Sequence, residues 1–417
     1  MKGRLLLVIP PVVTKVGDVV EVDGDFANNL RAYLENFDHV TVACPVLEGS
    51  NNGLRQLTPF NNVAGHERMV FVPLPYTYRE DRHFFHYRAV KKLLRSEIEK
   101  ADYLLFEPHA PFDWSTLAAR LAISMKRSYD IEADWYLESV WRLLLSQMPA
   151  GLKKIRKYIW FNYHIWLYHT CLKSSSVALL QGQDVFDAYK EHAPNPQKVL
   201  NVQITQESYI SNAQLAAKLQ RLQDGNPLII SYAGRAIEMK GPFDWLRSIH
   251  RLVTEGVKLQ ATWFGDGELL GELRTQVAKL EIGNFVFFPG TVERDAVMAE
   301  LRKSDIFMFC HKTAESPRCL VEALACAAPI VGYGSSYARD LVGQRGGGAF
   351  VQVNDWEGLA NLVRSLNQDR SRLVELISDA NASARLYDRD KAIQQRIDLI
   401  KKYVKPPNRV LPDIFAG

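Results

Sequence analysis

Two cations five residues apart, Arg235 and Lys240, stand in the stretch Ser231-Tyr232-Ala233-Gly234-Arg235-Ala236-Ile237-Glu238-Met239-Lys240-Gly241-Pro242. The flanking glycines allow a ligand to approach the backbone closely, and Pro242 suits the first turn of a following helix. Such a pair can clamp a diphosphate through charge-assisted hydrogen bonds beside a helix start, or serve as ordinary solvated loop charges. Further along, Phe264-Gly265-Asp266-Gly267 and Pro289-Gly290-Thr291-Val292 are each either a tight turn or backbone laid open for docking. The run from His311 to Leu324 then carries two carboxylates, Glu315 and Glu322. Glu315 precedes a helix start, where it can meet a sugar or simply favour the helix dipole. Glu322 falls among Leu320, Val321, Ala323 and Leu324, so its charge must find a partner or bind polar ligand groups. A ribose diol offers it two donors, and the free N–H groups of that first helical turn suit phosphate.

These residues need elements to hold them. In the C-terminal half, apolar runs at 228–233, 257–264, 285–289, 306–311, 330–333 and 350–353 read as strands separated by helical periodicity. Leu246, Ile249 and Val253 form one buried stripe on the helix predicted over 242–255. Six strands alternating with helices predict a parallel sheet covered on both faces, with ligands outside the carboxyl ends of the strands. The N-terminal half repeats the alternation, with strands at 4–10, 39–44, 69–74 and 103–106 and helices at 26–37, 84–100 and 116–125. A long helical stretch over 133–173 and short strands within 176–205 follow, and the polar passage 205–227 separates the halves. The expected fold is α/β, with two doubly wound, Rossmann-like domains over 1–205 and 206–390. A helix and tail at 391–417 are expected to return to the first domain.

The chain has 417 residues, 47% hydrophobic and 24% charged, which excludes wholesale disorder and gives each domain its own core. A net charge of +4 is too small to argue for nucleic acid. The five cysteines show no C-x-x-C spacing, so neither a disulfide framework nor a zinc site follows, and a reducing cytosol fits. The opening MKGRLLLVIPP reads as a first buried strand, its apolar run too short, and lacking the small-residue site, for a signal peptide. No run of 18 apolar residues predicts a transmembrane helix. Asp23-Gly24-Asp25 mimics a metal-binding D-x-D, but Asp25 more simply caps the following helix, and no metal is expected. Within 151–173, four cations (Lys153, Lys154, Arg156, Lys157) and no acid precede Tyr158, Trp160, Phe161, Tyr163, Trp166 and Tyr168. That segment can lie in a bilayer interface, together with the cationic stretch 82–100, or turn its aromatic face into the domain core; the core reading is preferred.

Taken together, Gly-Arg-x4-Lys-Gly, Gly-x-Gly, Pro-Gly-x-Val, the paired glutamates and Pro-Ile-Val-Gly-Tyr resemble the nucleotide-binding half of GT-B glycosyltransferases. The pattern is most similar to family 4, the retaining enzymes, and runs from Ser231 to about Leu366. The resemblance implies that Arg235 and Lys240, beside Gly234, hold the donor diphosphate and stabilise its developing charge. It implies that Glu322 binds the ribose, that the backbone at Cys319 and Leu320 contacts phosphate, and that Val292 meets the nucleobase. Gly265, Ser316 and Pro317 join the donor-binding set. Glu315 would touch the transferred sugar as the first acid of the family's Glu-x7-Glu motif. Here only six residues separate the two glutamates, and strict register puts Ala314 at that place. His109 is implied at the sugar's outer hydroxyls, and Gly17 near the donor or the acceptor.

The function implied is retaining transfer of a hexose from a nucleotide sugar to a glycan or lipid-linked glycan during bacterial surface polysaccharide synthesis. UDP-glucose is the expected donor and GDP-mannose its competitor. The site is expected cytoplasmic, peripheral at the inner face of the membrane, with no metal and no protein nucleophile. A GT-B nucleotide-sugar epimerase is a rival reading that needs acid/base carboxylates around the hexose, and no such N-terminal cluster is evident in the sequence. A nucleotide-sugar-binding protein without transferase activity is the other rival.

Overall fold

Short Val-, Leu- and Ile-rich runs that are apolar at every position can be buried on both faces only in the middle of a covered parallel sheet. The computed structural model, which describes residues 2–10, 13–16, 19–48, 57–76, 80–109 and 113–407, builds two such sheets. The N-terminal strands are β1 (Arg4–Val8), β2 (Val13–Val16), β3 (Val19–Asp23), β4 (His39–Glu48), β5 (Leu57–Pro59), β6 (Met69–Leu74), β7 (Tyr103–Phe106), β8 (Asp130–Ala133), β9 (Val177–Gln181) and β10 (Pro196–Val199). Seven of them run parallel in the order β6-β4-β1-β7-β8-β9-β10. The far end of β4 carries a small extension through β2, β3 and β5. The second sheet holds β11 (Leu228–Ala233), β12 (Leu259–Phe264), β13 (Val286–Gly290), β14 (Ile306–Phe309), β15 (Ile330–Tyr333) and β16 (Gly348–Val351). All six are parallel, in the order β13-β12-β11-β14-β15-β16. Strand order therefore reverses between β1 and β7 in one sheet and between β11 and β14 in the other. The loops diverge at these points and leave a crevice.

Several elements differ from the sequence expectation. β8 reads Asp-Ile-Glu-Ala, too acidic to announce a central strand, yet all four residues are buried. The helical stretch 133–173 is two helices, Leu137–Gln147 and Leu152–Ser174, divided at Gly151, whose φ of +152° suits glycine. Asp25 lies inside the helix Gly24–Asn36 rather than capping it. The second of the two divided helices also departs from the preferred core reading. It buries only His164, Tyr168, Cys171 and Leu172, while Leu152, Ile155, Tyr158, Ile159, Tyr163 and Trp166 are exposed.

The polar passage between the halves contains the helix Asn212–Gln223, opened by a capping box of Ser211 and Gln214. Val202 and Ile204, just before it, already belong to the C-terminal core. The last described helix, Arg389–Tyr403, packs Ile393, Ile397 and Ile400 among Leu5, Leu7, Phe37 and Leu179 of the N-terminal domain. On the other side of the crevice, Asp184 accepts the backbone N–H groups of Ser336 and Tyr337, and Lys198 pairs with Asp340 at 2.9 Å.

Candidate active site

The site lies where the two switch points face each other. After β11 the chain turns through Gly234 and Arg235 into a short 3-10 turn, Glu238–Lys240, and then the helix Pro242–Thr254. Gly241, at φ +61°, ends that turn so close to β14 that a Cβ would sit 2.2 Å from the Cys310 carbonyl oxygen. Gly265 (φ +127°) is pressed likewise on Gly234, with a Cβ placed 2.2 Å from its carbonyl oxygen. Only glycine lets these loops draw together. Arg235 is exposed, whereas Lys240 is nearly enclosed and bonds Glu315 Oε2 through Nζ at 2.6 Å. The other oxygen, Glu315 Oε1, is buried without a hydrogen bond and stands 3.7 Å from His311 Nδ1. His311 Nε2 is 2.8 Å from the Tyr232 hydroxyl. Burial, with Lys240 nearby, holds this imidazole well below the usual histidine range, so it is neutral at pH 7.

Glu322 is half-buried rather than enclosed. It lies in the helix Arg318–Ala325, where the neighbouring helix Arg294–Lys303 brings Arg294 to it. Arg294 Nε and Nη2 both reach Glu322 Oε1, at 3.1 and 3.0 Å. Oε2 has no partner among the described residues. The apolar neighbours thus cover one face of this helix while the carboxylate lies along its edge.

The N-terminal wall is acidic. Glu107 follows β7, Glu132 is in β8 and Asp134 follows it, and together with His109, Arg318 and Arg396 they line a cavity of about 330 Å³. Glu132 Oε1 accepts Gln181 Nε2 at 2.6 Å and lies 3.2 Å from Arg396 Nη2, which arrives on the returning helix Arg389–Tyr403. Burial, then Glu132 and Asp134, push the Glu107 carboxyl well above the usual carboxylate range against the opposing charge of Arg396. Asp134 is accessible from the cleft but crowded by protein. Loss of surrounding water pushes it up to about 6, with His109 opposing and Glu132 adding to the rise. The two walls touch: Trp135 and Glu315 form an isolated antiparallel bridge, and Ser316 Oγ donates to the Gln181 carbonyl oxygen.

The structure thus brings Lys240, Glu315, Ser316 and His109 to one crevice. Pro317 caps the helix that begins at Arg318 and contains Cys319 and Leu320. Val292 lies in the loop between β13 and the helix Arg294–Lys303, half-buried beside the Arg294–Glu322 pair. Gly17 lies outside the described residues. Sequence reasoning missed Glu132, Asp134, Gln181, Arg294, His311 and Arg396. His311 stood at a strand end, where a signal existed; Glu132 and Asp134 had none, because β8 itself was not legible. The N-terminal carboxylate cluster that the sequence did not disclose is therefore present.

Residues 216–383 match the family described as glycosyl transferases group 1. The amylovoran biosynthesis glycosyltransferase AmsK of Erwinia amylovora is 24% identical over 183 residues, 42% of this chain and 45% of that protein. The alpha-monoglucosyldiacylglycerol synthase of Streptococcus pneumoniae is 26% identical over 172 residues, 40% of this chain and 38% of that one. The chain thus matches less than half the length of these curated relatives. Anabaena Alr3699/HepE, solved with UDP, superimposes over 96% of this chain and 100% of its own with a TM-score of 0.67 at 15% identity. It has also been solved with UDP-glucose. The fold is that of the GT-B glycosyltransferases. The match to glycosyl transferases group 1 falls within the C-terminal domain.

Proposed function

We propose that this chain is a retaining, family 4 hexosyltransferase. It moves a hexose from a nucleotide sugar, UDP-glucose first among the candidates and GDP-mannose second, to a glycan or lipid-linked glycan in surface polysaccharide synthesis. The observation that carries this reading is the pairing of Lys240 with Glu315 beside Arg235 at the β11/β14 switch point, opposite His109. Arg235 supplies a planar fork for phosphate oxygens. Lys240 has three N–H donors, so Glu315 can hold it in place while others reach the diphosphate. In front-face displacement the bond from the anomeric carbon to the phosphate oxygen breaks as the acceptor oxygen attacks from the same side. The acceptor's proton passes to the leaving phosphate oxygen. The protein's part is to orient the two partners and to stabilise negative charge on the leaving group.

The two cations take up that charge without a divalent ion, so turnover should not respond to EDTA. The names of AmsK and of the HepE complexes support the polysaccharide and UDP-sugar assignments. The same reading places the chain in the cytoplasm, peripheral at the inner face of the membrane. Among the described residues, no helix is long and apolar enough to cross one. A panel of UDP-, GDP-, ADP- and TDP-sugars, with and without EDTA, tests the donor, and NMR of the product anomer tests retention. Turnover of one nucleotide class with the donor's anomeric configuration kept is expected. An inverted product would overturn the retaining mechanism.

The acids Glu107, Glu132 and Asp134 favour one second reading, a GT-B nucleotide-sugar epimerase, because carboxylates clustered on one cavity, with the Glu107 and Asp134 carboxyls pushed up from their ordinary range, suit proton transfer at a sugar carbon. Incubation of each nucleotide sugar in D2O separates the two. Deuterium incorporation into the recovered hexose would favour the epimerase, and free or transferred sugar without it the transferase.

A further inference from the structure

On the far side of His109 from the crevice lies a second cavity, of about 500 Å³, between the helices Glu80–Lys100, Trp114–Ser124 and Leu152–Ser174. Its exposed rim is largely apolar: Phe84 and Ile159 are 61% and 62% exposed, Tyr163 also opens to solvent, and the exposed Arg120 adds a cation to the lining. Its floor is polar, with Asp113, Thr116 and His164. His164 is only 3% exposed, and its Nε2 has no hydrogen-bond partner. Asp113 Oδ2 accepts the His109 backbone N–H at 2.7 Å, and His109 lines the catalytic crevice. The Asp113–His109 contact is thus a wall common to the two cavities.

The surface around the mouth has a definite character. Leu152, Ile155, Tyr158, Ile159, Tyr163 and Trp166 recur at helical spacing on one exposed face, and Phe85 of the adjoining helix is 84% exposed. Lys153, Arg156 and Lys157 are exposed beside them, Lys154 is half-buried, and the helix Leu152–Ser174 has no acidic residue at all. Arg88, Lys91 and Lys92 extend the positive rim along the neighbouring helix. A soluble partner of mixed charge gains little from such a face. An anionic lipid surface complements both its parts, the aromatics entering the acyl boundary and the cations meeting headgroups.

We infer that the helix Leu152–Ser174 lies on an anionic bilayer, and that the adjoining cavity takes the hydrocarbon chain of a membrane lipid whose head carries the acceptor hydroxyl past Asp113 to His109. This rests on the transferase reading. The apolar mouth receives the chain, the polar floor meets the head, and the common wall fixes which end arrives at the donor sugar. Ile159 and Trp160 both line the cavity.

The experiment uses vesicles of phosphatidylglycerol, or of phosphatidylcholine alone, with and without brominated acyl chains that quench tryptophan. Wild-type protein should bind the phosphatidylglycerol vesicles and not the phosphatidylcholine ones. Replacing Lys153, Arg156 and Lys157 by Gln should weaken binding roughly fivefold for each cation removed. Part of the brominated-lipid quenching should vanish in Trp160→Phe, and Ile159→Glu should abolish that part while retaining the wild-type thermal transition. No preference for phosphatidylglycerol, or self-association through this face instead of vesicle binding, would overturn the surface. Quenching equal in wild type and Trp160→Phe would overturn the cavity. Sugar release from nucleotide sugars in solution is measured alongside. Its absence from wild type would count against the transferase, while the vesicle and quenching results would still be read on their own.

Discussion

Lys240 and Glu315 are each about a tenth exposed, so neither charge can be removed without leaving the other in a poorly solvated place. Lys240→Ala should therefore lower stability by about 3–5 kcal/mol as well as slowing turnover. The double variant Lys240→Met with Glu315→Gln should lose less than the sum of its singles, with a coupling of about 0.5–3 kcal/mol in chemical denaturation. Strict additivity would show that the pair is not formed. Arg235, exposed and without an ion pair among the described residues, allows the cleaner dissection of catalysis from folding. Asp130 is the opposite extreme. It is fully buried, neither oxygen has a hydrogen bond, and burial followed by Glu132 holds its carboxyl well above the usual range. The folded state therefore keeps this proton over a range where the unfolded chain, with a pKa near 3.9, has lost it. Its contribution to stability is complete below about pH 4 and declines as pH rises toward the folded value. Asp130→Asn should be more stable than wild type at pH 8, with the advantage shrinking as pH falls to about 4 in paired urea titrations. A constant difference across that range would contradict the buried, proton-holding Asp130.

At the scale of elements, the returning helix Arg389–Tyr403 both closes the N-terminal core and delivers Arg396 to Glu132 in the crevice. Ile397, completely buried there, should cost about 2–5 kcal/mol when cut to Ala, seen as an earlier transition in the N-terminal domain. An unchanged transition would mean that the helix is not docked. How far each element was legible follows from its composition. The strands β11, β14 and β15 are mostly apolar runs and β12 alternates buried Leu259, Ala261 and Trp263 with Gln260 and Thr262, each followed by glycine or polar residues, so both the C-terminal sheet and the residues at its strand ends could be read directly. Two acids in four residues concealed β8, and with it Glu132 and Asp134. Arg396 was invisible for another reason: the return of its helix to the first domain is expected from the sequence, but which residue of that helix meets Glu132 is a long-range contact that no local pattern encodes. The aromatic helix was misjudged because periodicity gives a face but not which side of it the rest of the chain covers.

For the whole molecule, the crevice is only as well formed as the contacts that hold its walls together. Ser335 caps the helix Ser336–Val342, and Asp184 adds to that cap from across the domain boundary, accepting from Ser336 N at 2.9 Å and Tyr337 N at 3.1 Å. Asp184→Ala should cost about 0.5–2 kcal/mol, as other lost caps do. Because the helix and Asp184 belong to different domains, the variant should also show a larger radius of gyration in solution scattering and a raised KM for the donor. Unchanged scattering and KM would assign the cap to local stability alone. The role proposed for the β11/β14 switch point is to bind a nucleotide sugar and stabilise its leaving diphosphate. It is tested most directly by measuring sugar release from the preferred nucleotide sugar by wild type and by Arg235→Ala, with the melting transition of both recorded. A fall in turnover of about 10²–10³, with the transition unmoved, is the expected result. Wild-type turnover in Arg235→Ala would contradict that role.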